Sequence, residues 1–355
     1  METPAGQLDL LHVNKVFTSE SYSRRIVILT ESNVKSINIT WLSLTDLTNL
    51  NSGEGGSNYI DVKKFASNGK QYPYVSGQAM RAYIKECMRR SLSEKEYMCV
   101  PDSDGHTCGD IKRCILCDMF GFMIPKKKVS KSKGQKLEKG AKETKGGALT
   151  RISPVKVSPA VGLLPFVTHS TLDFLTVRKP QEKEEERAGG IVNVELGTNL
   201  YKCGIAIDLV RVGAREVIDF KNRQIKIQSD VPEGECKNRI RKVLGSLKFL
   251  ADYSKQARLM TDFTPDVICA TFQRVYSHRL QKLFDLSEEN RKINSNRLNE
   301  ILTDVKKYSD SVYFGLISNV VNNEGEIVNT LKELGIQIQK PDEVFESILN
   351  HKSLV

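Results

Sequence analysis

A chain of 355 residues can bury a sizeable core, and its length admits one large domain with insertions or two smaller ones. Lysine and arginine outnumber aspartate and glutamate by 53 to 43, a formal net charge of +10 at pH 7, which favours a polyanionic partner over an acidic small substrate. The apolar fraction is 39%, with no apolar run of about eighteen residues and no charged-then-apolar leader, which argues against membrane spanning and secretion. The expectation is a cytoplasmic chain, part of it wrapped around a partner.

Residues 1–35 hold one short apolar run, Ile26 to Leu29, and read as an extension that orders against a neighbour. Regular patterning starts at Ile37, Ile39 and Trp41, which alternate with polar residues as in a half-buried strand. Residues 49–57 (NLNSGEGGS) then concentrate turn formers in a loop. Met80, Tyr83, Ile84, Cys87 and Met88 follow helical spacing, with Ser76 and Gly77 placed to cap the start. Residues 93–149 break this pattern with a cysteine cluster and then a lysine-rich run, and read as an insertion. Strand character returns at Ile152, Val155 and Val157, and again at Tyr201, Cys203, Ile205, Ile207 and Leu209. Between them the mixed-charge tract 179–187 and the pair Gly189 and Gly190 suggest a projecting arm. A hairpin is expected over 217–227. Ile240, Val243, Leu244, Leu247 and Leu250 mark a second long helix, and residues 267–272 a buried strand. From Leu286 onward the pattern is mostly helical, with stripes at Leu298, Ile301, Leu302 and Val305 and at Val344, Phe345, Ile348 and Leu349. Strand, helix, strand, strand, helix, strand is the order of a ferredoxin-like or RRM fold, so the expected class is α+β.

Several residues carry candidate chemistry. Ser76, Gly77 and Arg81 lie at a helix start, where free amides and the helix dipole favour phosphate. Arg81, Lys85 and Arg89 recur every four residues away from the apolar stripe; the alternative is a plain cap and a solvated basic face. Cys108, Cys114 and Cys117 form C-x5-C-x2-C, a spacing that suits a structural zinc with Cys99 or His106 as fourth ligand, or else buried free thiols. The run 126–145 holds nine lysines against two glutamates, among them Lys126, Lys127, Lys128, Lys131 and Lys133. Such a run binds polyanions, target DNA being the expected one, or simply solubilises. Lys255 and Arg258 follow the second long helix, where the alternative role is a cation at the helix C-terminus. Tyr201 either stacks on a base or packs in the sheet, and Lys202 stands beside it. His12, His106, His169, His278 and His351 are scattered, and no nucleotide-loop or hydrolase signature is present.

Six stretches together resemble the backbone subunit of the type I CRISPR complex Cascade, in the DevR-like branch associated with type I-B systems. They are residues 37–51, 73–85 (PYVSGQAMRAYIK), 114–121 (CILCDMFG), 151–162 (RISPVKVSPAVG), 193–209 (NVELGTNLYKCGIAIDL) and 255–266 (KQARLMTDFTPD), within a span of roughly 36–275. The resemblance implies a modified ferredoxin-like/RRM palm (36–92 and 150–275), a fingers insertion (93–149), a thumb hairpin near 163–199 and C-terminal helices (276–355). It implies that Arg81 and Arg258 lie beside a guide RNA, and Arg151 joins the candidate RNA-binding set. The implied protein is non-catalytic. It polymerises with further copies of itself along CRISPR RNA in a helical filament, meets other Cascade subunits, and presents the guide to target DNA in antiviral defence, with no membrane role and no cofactor beyond one structural zinc. Backbone subunits of type III complexes share this fold and cut target RNA with a loop acid, which keeps a ribonuclease using Asp46, Glu54 or Asp61 as the alternative. A free-standing RRM-like regulator is a third reading.

Overall fold

The computed structural model describes residues 34–50, 59–125, 148–176, 191–219, 222–251, 259–288 and 290–355. The expected N-terminal extension and the lysine run 126–145 therefore lie outside the described residues, apart from Val34 and Lys35.

The first strand, β1 (Ser36–Thr48), is buried along most of its length and lies in the middle of the main sheet. Four further strands order around it: β2 (Val155–Val157), β3 (Ile191–Asp208), β4 (Val267–Gln273) and β5 (Ser309–Leu316). Across the sheet they run β5, β4, β1, β3, β2, and every neighbouring pair is antiparallel. With α1 (Gly77–Arg90) between β1 and β2, and α3 (Glu233–Ser246) between β3 and β4, this is the ferredoxin-like arrangement. The sequence order was right because period-two alternation survives wherever one face of a strand meets a core: Ile37, Ile39 and Trp41 sit opposite Ile207, Ile205 and Cys203.

Both faces of the sheet are covered. One core joins Ile37, Ile39, Trp41, Tyr201, Ile205, Ile268 and Phe272 to the apolar stripes of α1 and α3 and to α2 (Ile115–Phe120). Each such side chain, fully buried, contributes about 1.5–3 kcal/mol. The second core sets Leu42, Leu200, Val267, Cys269 and Phe314 against α4 (Ser295–Lys306) and α5 (Glu324–Glu333). The C-terminal helices divide between the two faces, since α6 (Pro341–Leu349) adds Val344, Phe345 and Ile348 to the first core. The C-terminal region also supplies β5, which the helical reading missed because its eight residues alternate weakly between two strong helical stripes.

Beyond the apolar end, the second face is polar and still closed. Asn38, Thr40, Thr271 and Gln273 are buried, and Gln281 donates to the Ile39 carbonyl at 3.1 Å. Gly204 makes room for that side chain: a Cβ there would sit 1.6 Å from the Gln281 Oε1. The arm predicted before β3 is a hairpin, Ser170–Thr176 pairing with residues 191–197 of the 18-residue β3, so a core strand runs straight out into it.

His351 stacks on Phe272 with ring centroids 3.6 Å apart, and its Nε2 lies 3.5 Å from Asp310. Burial pushes its pKa below the ordinary imidazole value, against the pull of Asp310. A depressed folded pKa favours the neutral ring, so the stability this site contributes is complete above the unfolded pKa of about 6.5 and is lost as pH falls through the lower folded value. Urea unfolding below about pH 6.5 is expected to show a slope of stability on pH that flattens in His351→Gln. An unchanged slope would remove His351 from the acid response.

Candidate nucleic-acid interface and cysteine cluster

The helix α1 begins as its sequence dictates. The Ser76 side chain accepts the Ala79 N–H at 3.2 Å, and Gly77 lets the first turn approach Val157, whose carbonyl would be 3.2 Å from a Cβ. Met80, Tyr83, Ile84, Cys87 and Met88 are buried, which turns Arg81, Lys85 and Arg89 outward along another side. Arg81 donates to the carbonyls of Val155 at 2.9 Å and Phe120 at 2.7 Å, neutral acceptors that do not cancel its charge. The Phe120 ring lies 5.1 Å from the Arg81 guanidinium and 5.9 Å from the Lys85 ammonium. Burial holds both cations below their ordinary pKa values, and the charges of Arg81 and Arg89 lower Lys85 further. Arg89 has a carboxylate partner, Glu86, at 3.2 Å. Arg81 and Lys85 thus form a half-buried, net positive platform suited to an anion.

Four thiols converge next to it. The sulfurs of Cys99, Cys108, Cys114 and Cys117 all lie within 4.8 Å of one another, with Cys108 the exposed member. This decides the fourth position in favour of Cys99: His106 is exposed and pairs with Asp102 at 3.1 Å. Hydrogen bonding from Cys117 draws the Cys114 thiol down to about 4, while burial pushes Cys99 up to about 11. Among the described residues this is the single grouping of three or more side chains able to hold a metal.

The residue after Cys117 is Asp118, with no exposed side-chain surface, and it receives three parts of the chain. Arg239 of α3 donates to it at 2.8 Å, the Gly213 N–H donates at 3.0 Å, and Arg151 pairs with its other oxygen. Arg239 also reaches the carbonyls of Ile111 and Lys112 at 2.8 and 2.7 Å. The insertion is therefore pinned to the palm by a buried carboxylate between two guanidinium groups.

A family model described as "CRISPR-associated negative auto-regulator DevR/Csa2" matches residues 39–285. The chain belongs to the DevR/Csa2 family. It is similar to a solved chain titled "CRISPR RNA-guided surveillance complex, pre-nicking", at 13% identity and TM-score 0.50, covering 88% of this chain and 98% of that one. Another, titled "CRISPR RNA-guided surveillance complex", matches at 14% identity and TM-score 0.48, covering 89% and 98%. A search of the curated proteins finds no match.

Within this DevR/Csa2 chain two expected RNA contacts are corrected. Arg151 is taken up inside the protein: besides Asp118 it donates to the carbonyls of Arg211 and Ala214, so it holds the insertion and offers nothing to a phosphate. Tyr201 is buried, its ring 5.4 Å from Phe263, so it packs in the sheet and offers no face to a base. Lys202 points to the opposite face and donates to the Phe284 carbonyl at 3.2 Å. Lys255, Arg258 and the lysines 126–128, 131 and 133 lie outside the described residues, as does Glu54. Asp46 is exposed and Asp61 half-buried, and neither joins a metal-ligating group among the described residues. No helix among the described residues is long and apolar enough to cross a membrane. Phe120, Asp118 and Arg239 were not singled out in the sequence, although the first two lie in the stretch 114–121 that carries the resemblance and Arg239 stands at i, i+4 from Glu235, with which it pairs at 2.8 Å.

Arg239→Ala leaves a buried carboxylate short of one partner, and is expected to destabilise the protein by about 3–5 kcal/mol in urea unfolding. A loss under about 1 kcal/mol would show that Arg151 alone satisfies Asp118.

Proposed function

We propose that this protein is the non-catalytic subunit that coats guide RNA in a type I CRISPR surveillance complex, in the I-B branch. The observation that carries the reading is the platform of Arg81 and Lys85 on α1, two cations held partly out of water with no acidic group among the described residues paired to either. Family membership and the fold shared with a surveillance-complex chain support it.

The closed sheet indicates how RNA is met. An RRM stacks bases on sheet aromatics, yet the matching face here carries Asn38, Thr40, Lys202 and Gly204 beneath Gln281. Recognition then falls to the backbone, as suits a protein whose specificity resides in the guide. On the outer side of the arm hairpin Leu172, Phe174 and Ile191 are exposed, while Val192, Val194 and Leu196 pack inward. We read the outer row as the contact onto the next copy, a heterologous join that propagates along the RNA. Other subunits of the complex cap the filament, and the assembly works in the cytoplasm. The lysines of 126–145 are proposed to attract target DNA, Lys255 and Arg258 to line the guide groove, and the four thiols to hold one structural zinc.

Lys85→Met is expected to weaken binding of a guide-length RNA for all sequences alike and to lower the salt slope by about one unit. The same change should raise the melting temperature of the RNA-free protein, because it removes a desolvated cation. An unchanged affinity and slope would take Lys85 out of the site. Guide-loaded protein given labelled complementary RNA in magnesium should leave it intact. Evenly spaced cuts that vanish in Asp46→Ala or Asp61→Ala would establish the ribonuclease instead.

A further inference from the structure

The short helix α2 joins the cysteine cluster to the cation platform. Within six residues it carries Cys117, then Asp118, then Phe120, whose ring underlies Arg81 and Lys85 and whose carbonyl accepts from Arg81; Cys114 is its N-cap. A helix of this length does not form on its own, so whatever holds its ends decides its position. The Asp118 network holds one side. On the other side are the thiols, and the Cys108–Cys117 and Cys99–Cys117 sulfur separations are 3.5 and 3.8 Å. Four thiolates at about 2.3 Å around a tetrahedral zinc stand about 3.8 Å apart, a spacing that these two separations match and that the other pairs, all within 4.8 Å, can reach by small shifts.

We propose that Cys99, Cys108, Cys114 and Cys117 bind one zinc ion, and that its occupancy governs RNA affinity by fixing α2 and hence the Phe120 platform under Arg81 and Lys85. The regulatory half rests on the reading of that platform as an RNA site; the metal site does not. Binding releases the thiol protons to solvent and leaves the cluster net negative. The exposed Cys108 is the point where the ion can be reached and withdrawn. Loss of the ion frees the N-terminal end of α2, and the Phe120 carbonyl and ring then no longer hold Arg81 in place.

The test uses the full-length chain purified without chelator. Metal analysis should find one equivalent of zinc, and under about a tenth of an equivalent overturns the site. Stripping with a chelator should weaken binding of a guide-length RNA oligonucleotide by about tenfold, and added zinc should restore it. Phe120→Leu leaves the thiols in place and guards against stripped protein that merely unfolds. It should keep one zinc and a native circular dichroism spectrum while losing RNA affinity by a similar factor. If Phe120→Leu binds RNA as the parent does while Lys85→Met does not, the coupling is overturned and the RNA reading stands. If Lys85→Met also binds as the parent does, the RNA reading fails, and the coupling with it, whatever the metal content.

Discussion

The carboxylate of Asp118 is the point on which the described structure depends. A charge wholly removed from water is tolerable only when it is paired and hydrogen-bonded, and Asp118 meets that condition with Arg239, Arg151 and the Gly213 N–H. These partners come from α3, from the strand that leaves the insertion and from the turn after β3, so satisfying one side chain fixes the mutual position of four chain segments. The insertion needs such a fastening because its described part holds only a six-residue helix and short strands, too little apolar surface to define its own orientation. Polar pairing therefore does in this region what hydrophobic burial does in the palm. The directionality of the bonds places Phe120 beneath Arg81.

Closing both sheet faces has the opposite physical origin. Once α4 and α5 cover the apolar end of the second face, the polar end next to it is also cut off from water, and most of its groups find partners locally, Asn38 Oδ1 and Gln273 Oε1 excepted among the described residues. Gln281 over Gly204 and Ser36 Oγ donating to the Val275 carbonyl at 2.8 Å are such partners. A surface that in other RRM folds stands open is thereby spent on structure. The positive character of the chain is left to helix faces and loops, and α1 is where the described residues concentrate it beside an aromatic ring.

The arm illustrates how a projecting element is kept stiff. Since β3 continues without interruption from the core into the hairpin, the arm's position follows from the sheet's own hydrogen bonds. The inward row of Val192, Val194 and Leu196, packed against Ile60 and Leu259, braces it. The outward row, shared with Asn193 and Glu195, leaves Leu172, Phe174 and Ile191 exposed, which a lone soluble surface has no reason to maintain.

Much of this architecture was legible in the sequence alone. The α1 stripe, its Ser76 cap, the alternation of β1 and β3 and the α3 stripe were read correctly, because helix and strand periodicity are local consequences of burying one face. The C-x5-C-x2-C spacing likewise marked three members of the thiol cluster, since ligands close in sequence are close in space. Tertiary structure decided the rest. It chose Cys99 over His106, drew Arg151 and Tyr201 into the interior, inserted β5 into the sheet and divided the C-terminal helices between its faces. Apart from the thiols, which are near neighbours in sequence, the outcome in each case turns on partners more than thirty residues away. An arginine reads identically in sequence whether it ends in water, on a phosphate or on a buried aspartate. Only the position of Asp118, set by the whole fold, separates Arg151 and Arg239 from Arg81.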